Sequence, residues 1–296
     1  MLIRKLITFN SRTNHSRDVG INIKMTVKKL TYILLILSLA SFLNACLNKV
    51  DSNKKSNIFN EEYYESGNLK LIKYSKTGKK IDSTISYYDV ASENKKSTKI
   101  ILNDSLVSET IYHSNNKINL KGLLSNNQRV GIWKGYDNKG NSTDDFYYVL
   151  VDSKEYLNQH IKFDFKGDTI RKESTFFNVF SEKDSIKKNE QIKIYVYLNE
   201  PFFSYNSECK VYIPKFNLSD FNSSFDNFEK VEIDTIESFN NDGINRKLPK
   251  DFPSNRYFAF GVEFSKSGKK ILRGYIEEFN KGKSRLMFFN KELFVE

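Results

Sequence analysis

The chain has 296 residues, enough for one large domain or two small ones plus a tether. Aromatic residues make up 14%, with 24 Phe, 17 Tyr and a single Trp, which is ample for a packed core and excludes global disorder. The formal charge of +11 sits largely in residues 1–45, which hold seven Lys or Arg and one Asp; beyond them stand 40 basic and 35 acidic residues with no basic block, a pattern that argues against nucleic acid as a partner.

Residues 1–24 fit no targeting pattern. From Met25 the chain reads MTVKKLTYILLILSLASFLNAC, with Lys28 and Lys29 before an apolar run from Leu30 to Phe42. That run suits the apolar core of a signal peptide and is too short to span a bilayer. Translation starting at Met25 is the simplest account, and an extended basic leader is the alternative. The run ends in Leu43-Asn44-Ala45-Cys46, which resembles the lipobox of bacterial lipoproteins. The resemblance implies a signal peptide over 1–45, cleavage before Cys46, and diacylglycerol on the Cys46 sulfur. An uncleaved amino-terminal helix is the competing reading. Leu47 rather than Asp after the cysteine favours the outer membrane. The polar stretch Asn48–Asn57 is expected to be a flexible tether within a segment taken as 46–59.

From about 60 to 171 short strands alternate with Gly- and Asn-centred turns. Tyr64-Glu65-Ser66-Gly67-Asn68, Tyr74–Lys80, Gly131–Asn141 and Phe165-Lys166-Gly167-Asp168 share an aromatic, polar residues, then Gly. Such a pattern predicts serial hairpins in which Gly takes the positive-φ position, with Asn in that role within His113–Lys117. The spacing resembles degenerate MORN-type repeats of exported bacterial proteins, closest at Val130–Asn141 and poor between 85 and 118. The resemblance implies an elongated stack of hairpins with a structural or adhesive role. Trp133, in the closest-matching repeat, is either a repeat-core aromatic or a stacking platform for a sugar or peptide.

Over 172–296 the strands lengthen. Gln191–Leu198 places Ile192, Ile194, Val196 and Leu198 on one face, and Tyr257–Phe264 places Phe258, Phe260, Val262 and Phe264 on one face. Further strands are expected at Thr175–Phe180, Cys209–Ile213, Lys230–Ile233, Lys270–Phe279 and Arg285–Phe289. About seven strands at this spacing predict an immunoglobulin-like β-sandwich, which makes the whole chain all-β. Phe216–Phe228 breaks the alternation: Phe221, Phe225 and Phe228 suit a short helix capped by Ser219, a loop covering the core, or an exposed aromatic surface.

The sequence offers little chemistry. After residue 45 only His113 and His160 remain, without a His or Cys partner at ligand spacing, so no metal or cofactor is expected. Cys209 alternates with Val211 and Ile213 and reads as a buried apolar residue. Asp144-Asp145 and Glu277-Glu278 are neighbours in sequence, but neighbours on a strand face opposite ways. Asp242-Gly243 reads as a turn. Five tripeptides, Asp82-Ser83-Thr84, Asp104-Ser105-Leu106, Asp168-Thr169-Ile170, Asp184-Ser185-Ile186 and Asp234-Thr235-Ile236, suit turns entering strands. They also resemble an O-glycosylation acceptor pattern of exported bacterial proteins. The expectation is therefore a non-enzymatic, lipid-anchored envelope module, with the membrane and a protein or glycan ligand as partners. The alternative is a polysaccharide hydrolase using two carboxylates brought together from distant positions.

Overall fold

The computed structural model describes residues 57–90, 94–215, 217, 218 and 220–296. Cys46, the expected signal peptide and most of the expected tether lie outside the described residues, as does Ser219. The fold is all-β, and the helical turns among the described residues, Arg171–Glu173 and Ser254–Arg256, are single 3₁₀ turns.

Nine strands form one sheet in chain order: β1 (Asn57–Tyr63), β2 (Leu69–Ser75), β3 (Ser83–Tyr87), β4 (Lys95–Ile101), β5 (Leu106–Tyr112), β6 (Ile118–Ser125), β7 (Gln128–Tyr136), β8 (Ser142–Val151) and β9 (Lys154–Lys162). From β2 onward each strand pairs antiparallel with the next. The expected tether ran to residue 59, yet β1 already begins at Asn57. Alternation in Ile58–Tyr63 was masked by the polar residues Asn60, Glu61 and Glu62.

The turns along one edge share a pair of backbone hydrogen bonds. In Tyr64–Asn68, His113–Lys117, Asp137–Asn141 and Asp164–Asp168 the first amide donates to the fifth carbonyl, and the fourth amide donates to the first carbonyl. The fourth residue is Gly67, Asn116, Gly140 or Gly167, each with φ between 64° and 94°. Only Gly, and next Asn, takes that conformation cheaply. Asn116 therefore stands in the glycine position, as its sequence context suggested. Successive turns are tied together. Tyr64 donates to the Tyr87 carbonyl and Tyr88 to the Tyr112 carbonyl, each at 2.9 Å, and His113 Nε2–H donates to the Tyr136 carbonyl at 2.9 Å. The partners are 23 or 24 residues apart, and each bond spans two strands of the sheet.

The rest of the chain is a β-sandwich. One sheet pairs β10 (Phe176–Ser181), β12 (Gln191–Glu200) and β15 (Tyr257–Glu263). The other runs β11 (Ser185–Ile186), β17 (Lys283–Val295), β16 (Gly268–Asn280), β13 (Glu208–Pro214) and β14 (Ile233–Glu237). β11 is parallel to β17, and the other pairings are antiparallel. Ile192, Ile194, Val196 and Leu198 meet Phe258, Val262, Val211, Ile213, Leu272, Ile276 and Met287 in one core. An immunoglobulin-like sandwich has this two-sheet arrangement.

Two expectations are corrected here. The strand placed at Lys230–Ile233 starts only at Ile233, because the chain is still in a turn at its expected start, where the Lys230 amide donates to the Asn227 carbonyl. Over 220–228, where a short helix was expected, the chain makes successive turns, with Phe225 at φ 51°. Phe221 and Phe225 are buried there, on the outer face of the five-stranded sheet against Tyr275 and Phe288, so they offer no exposed aromatic surface. Val149, Val151 and Tyr156 of the nine-stranded sheet join the same cluster. Asn158 seals this junction: its Nδ2 donates to the Phe288 carbonyl and its Oδ1 accepts from the Phe288 amide, each at 2.7 Å.

Candidate functional site

One outer face of the sandwich is thus covered. The other, on the three-stranded sheet, carries aromatic rings. Alternation that turns Ile194 and Val196 inward turns Tyr195 and Tyr197 outward. Register then sets Phe180 and Ala259 beside Tyr195, and Asn178 and Tyr257 beside Tyr197. Phe180 stacks on Tyr195 at 5.2 Å between centroids, Tyr195 lies 6.1 Å from Tyr257, and Tyr197 lies 5.6 Å from Tyr257. Phe239 and Phe252 extend the cluster, at 5.0 Å and 5.1 Å from Tyr257. Phe180 is exposed and the tyrosines are half-buried. Partial burial pushes the Tyr195 and Tyr257 hydroxyls up from their usual range, Tyr195 with help from the Glu182 carboxylate that it donates to at 3.2 Å. Both stay protonated at neutral pH and can donate.

The loop between β12 and β13 adjoins this face. Its end is fixed by two buried carboxylates. Glu278 is fully buried and accepts from the amides of Phe202, Phe203 and Ser204 at 2.7, 2.9 and 3.3 Å. Glu200, also buried, accepts from Arg171 Nη1 at 2.7 Å and from the Tyr205 hydroxyl. That bond to Glu200 is the main cause, ahead of burial, that raises the Tyr205 hydroxyl. A charged acceptor satisfied by backbone donors holds a loop in one conformation. Phe202 and Tyr205 are presented outward from it. Arg256 stacks on Tyr205 at 4.7 Å and lies 5.8 Å from Tyr197, with Nη1 donating to the Leu198 and Asn199 carbonyls.

The residues singled out in the sequence are dispersed. Trp133 is fully buried, with Nε1–H donating to the Leu123 carbonyl at 2.9 Å and Arg129 over its ring at 5.1 Å. It offers no free face, which corrects the reading of it as a stacking platform. The reason is Gly122: an added Cβ there would lie 2.4 Å from the indole, so the ring fills the space of a missing side chain. Cys209 is buried, and burial pushes its thiol up to about 12. His113 is spent on the turn ladder. His160 donates Nε2–H to Asp144 Oδ1 at 2.6 Å and stacks on Phe146 at 4.7 Å, a pair invisible at a separation of 16 residues. No hydroxyl or thiol among the described residues is hydrogen-bonded to that ring. Asp144 and Asp145 part to His160 and Lys134, and Glu278 is consumed by its amides. Asp242 caps the turn at Gly243 and pairs with Arg246 at 2.5 Å. Of the five hydroxyl tripeptides, Ser105, Thr169, Ser185 and Thr235 are exposed and Ser83 is half-buried. The described residues contain no group of three or more His, Cys, Asp and Glu placed to hold a metal ion.

The sequence did carry the signal for the aromatic face, in Ile194-Tyr195-Val196-Tyr197, where the strand is apolar on one side and phenolic on the other. The buried carboxylates had no such signal, because the partners of Glu278 are backbone amides and Arg171, the partner of Glu200, is 29 residues away in sequence.

No family model matches the sequence, and no curated protein matches it. Among solved structures, the soluble domain of PmoD from Methylocystis sp. (Rockwell) is similar over 46% of this chain and 96% of that chain, at 14% identity and a TM-score of 0.23. A likeness so slight supports nothing about activity.

Proposed function

We propose that the chain is an exported bacterial lipoprotein, held at the outer membrane by lipid on Cys46, that acts as a non-enzymatic binding module. The MORN-like hairpin region is its scaffold, and the outer face of the three-stranded sheet is its binding surface. The observation that carries this reading is the asymmetry of the sandwich: one outer face is closed by Phe221, Phe225 and Tyr156, and the other displays Phe180, Tyr195, Tyr197 and Tyr257. Aromatic side chains offer large contact area at small entropic cost, and tyrosine adds a hydroxyl for hydrogen bonding. The lipid itself follows from Leu43-Asn44-Ala45-Cys46, and two or more acyl chains make a stable anchor.

Two experiments test the reading. A fatty-acid probe should label the wild type and not Cys46→Ser, which should leave the membrane fraction; equal labelling would remove the anchor. Lipid-free mature chain should bind isolated cell envelopes, and Tyr195→Ala/Tyr257→Ala should weaken that binding at least tenfold. Envelope binding indifferent to the double substitution would remove the face.

A further inference from the structure

We propose that β1 is a dimer seam, pairing antiparallel with β1 of a second copy of this chain about a two-fold axis at Ile58, independently of the aromatic face. The edges of the nine-stranded sheet differ in character. At β9 the sandwich engages the edge: His160 and Thr175 exchange backbone hydrogen bonds at 2.9 and 2.7 Å, and the Phe177 amide donates to Gln159 Oε1 at 3.0 Å. At β1 no strand lies on the outer side among the described residues. Its outward amides and carbonyls are therefore an open template for another strand.

The residues of β1 suit that use. Ile58 and Phe59, on opposite faces of the strand, are 56% and 50% exposed. Asn57–Tyr63 contains neither proline nor lysine, the residues that most often blunt an edge. Its charges are Glu61 and Glu62, and Lys54 and Lys55, outside the described residues, precede it in sequence.

Those charges select both the occupant and the register. In a two-fold antiparallel pair the residue on the axis faces its own copy. An axis at Glu61 or Glu62 sets like charges opposite each other, which is unfavourable. An axis at Ile58 sets Lys54 opposite the partner subunit's Glu62 and Lys55 opposite the partner subunit's Glu61, and symmetry repeats each pair. No other two-fold register brings both lysines onto both glutamates, so this stretch is complementary to itself. Glu62 also accepts from Lys73 Nζ on β2 at 2.9 Å, and a carboxylate has acceptor sites for both cations. Glu61 accepts from the Tyr63 hydroxyl at 2.6 Å through Oε2. A seam of this length is at the small end of specific interfaces, so the dimer is weak in solution, and lipid anchors that gather copies on one membrane would strengthen it.

The test uses lipid-free mature chain with Cys46→Ser. Sedimentation velocity should show a dimer that forms between about 1 and 100 μM. Lys55→Glu and Glu61→Lys, each alone, set like charges opposite each other and should weaken the dimer about tenfold. The two together restore the pair and should bring the affinity back to within about threefold of the parent. Both leave the Glu62–Lys73 pair intact, and circular dichroism should not change. In the same background Ile58→Cys should give a disulfide-linked dimer on mild oxidation, because residues directly opposite on antiparallel strands lie within disulfide range. Asn60→Cys should not, since its copies are displaced by four residues, about 13 Å along the strands. A chain that stays monomeric at about 100 μM, single variants that dimerise as the parent does, a double variant no better than the single ones, or Asn60→Cys linking as readily as Ile58→Cys would overturn the inference.

Discussion

At the scale of the residue, the local environment decides what a side chain does. Trp133 sits where the sequence repeat is closest, and its aromatic core role was legible there; the cavity over Gly122 was not, because it depends on the neighbouring strand. Gly122→Ala should destabilise the nine-stranded sheet by about 1–3 kcal/mol through overpacking. As the only tryptophan, Trp133 reports this directly: its emission should shift red at lower urea in the variant than in the wild type. An unchanged midpoint would mean that the ring does not occupy that space. Cys209 gives a second reading. With Cys46 replaced it is the only thiol of the chain. It should resist Ellman's reagent at pH 8 until the protein unfolds, and prompt labelling of folded protein would contradict its burial. Because burial raises its pKa above the ordinary 9.0, the unfolded chain releases this proton before the folded one does. The stability it contributes is complete below pH 9 and declines as the pH rises towards about 12.

At the scale of the element, β12 was legible residue by residue, since a period of two assigns every side chain to a face. Ile192, Ile194, Val196 and Leu198 are all at most 1% exposed, as that alternation requires. β11 was not legible, because two residues carry no periodicity, and β14 starts late because the turn that the Lys230 amide closes on the Asn227 carbonyl occupies its expected beginning. The helix expected around Phe221 rested on spacings of four and three residues, which a run of turns satisfies equally well when each Phe has the same surface to cover. The register of β12 has a direct test. Val196→Asp puts an unpaired charge in the core and should abolish cooperative unfolding, a cost of about 4 kcal/mol or more. Tyr195→Asp, on the outer face, should cost roughly 1 kcal/mol or less. Equal loss in urea denaturation would place the strand in the wrong register.

At the scale of the whole molecule, the sequence suggested a change to longer strands near residue 172, yet β8 and β9 run 10 and 9 residues and β10 only 6; what changes there is the topology, from one sheet in chain order to two sheets with crossovers, and neither that nor the way the two parts join has a local sequence signal. Asn158 substitutes for a strand partner by engaging both backbone groups of Phe288, which no pattern within β9 announces. Residues 172–296 should fold alone, since the sandwich core draws only on that segment. They should melt below the full mature chain, having lost Tyr156, Val149 and Val151 from over Phe288. In the full chain, Asn158→Ala strands two buried backbone groups and should cost about 1–3 kcal/mol. It should also separate the Trp133 transition from the circular-dichroism transition. The central claim is that the open aromatic face, and not the broad hairpin sheet, meets the ligand. Hydroxyl-radical footprinting of the lipid-free mature chain with and without isolated envelopes tests it most directly. Protection at Phe180, Tyr195 and Tyr257, with the exposed Ile100 and Ile132 of the hairpin sheet unchanged, is the result expected; protection at Ile100 and Ile132 with none at the three aromatics would contradict it.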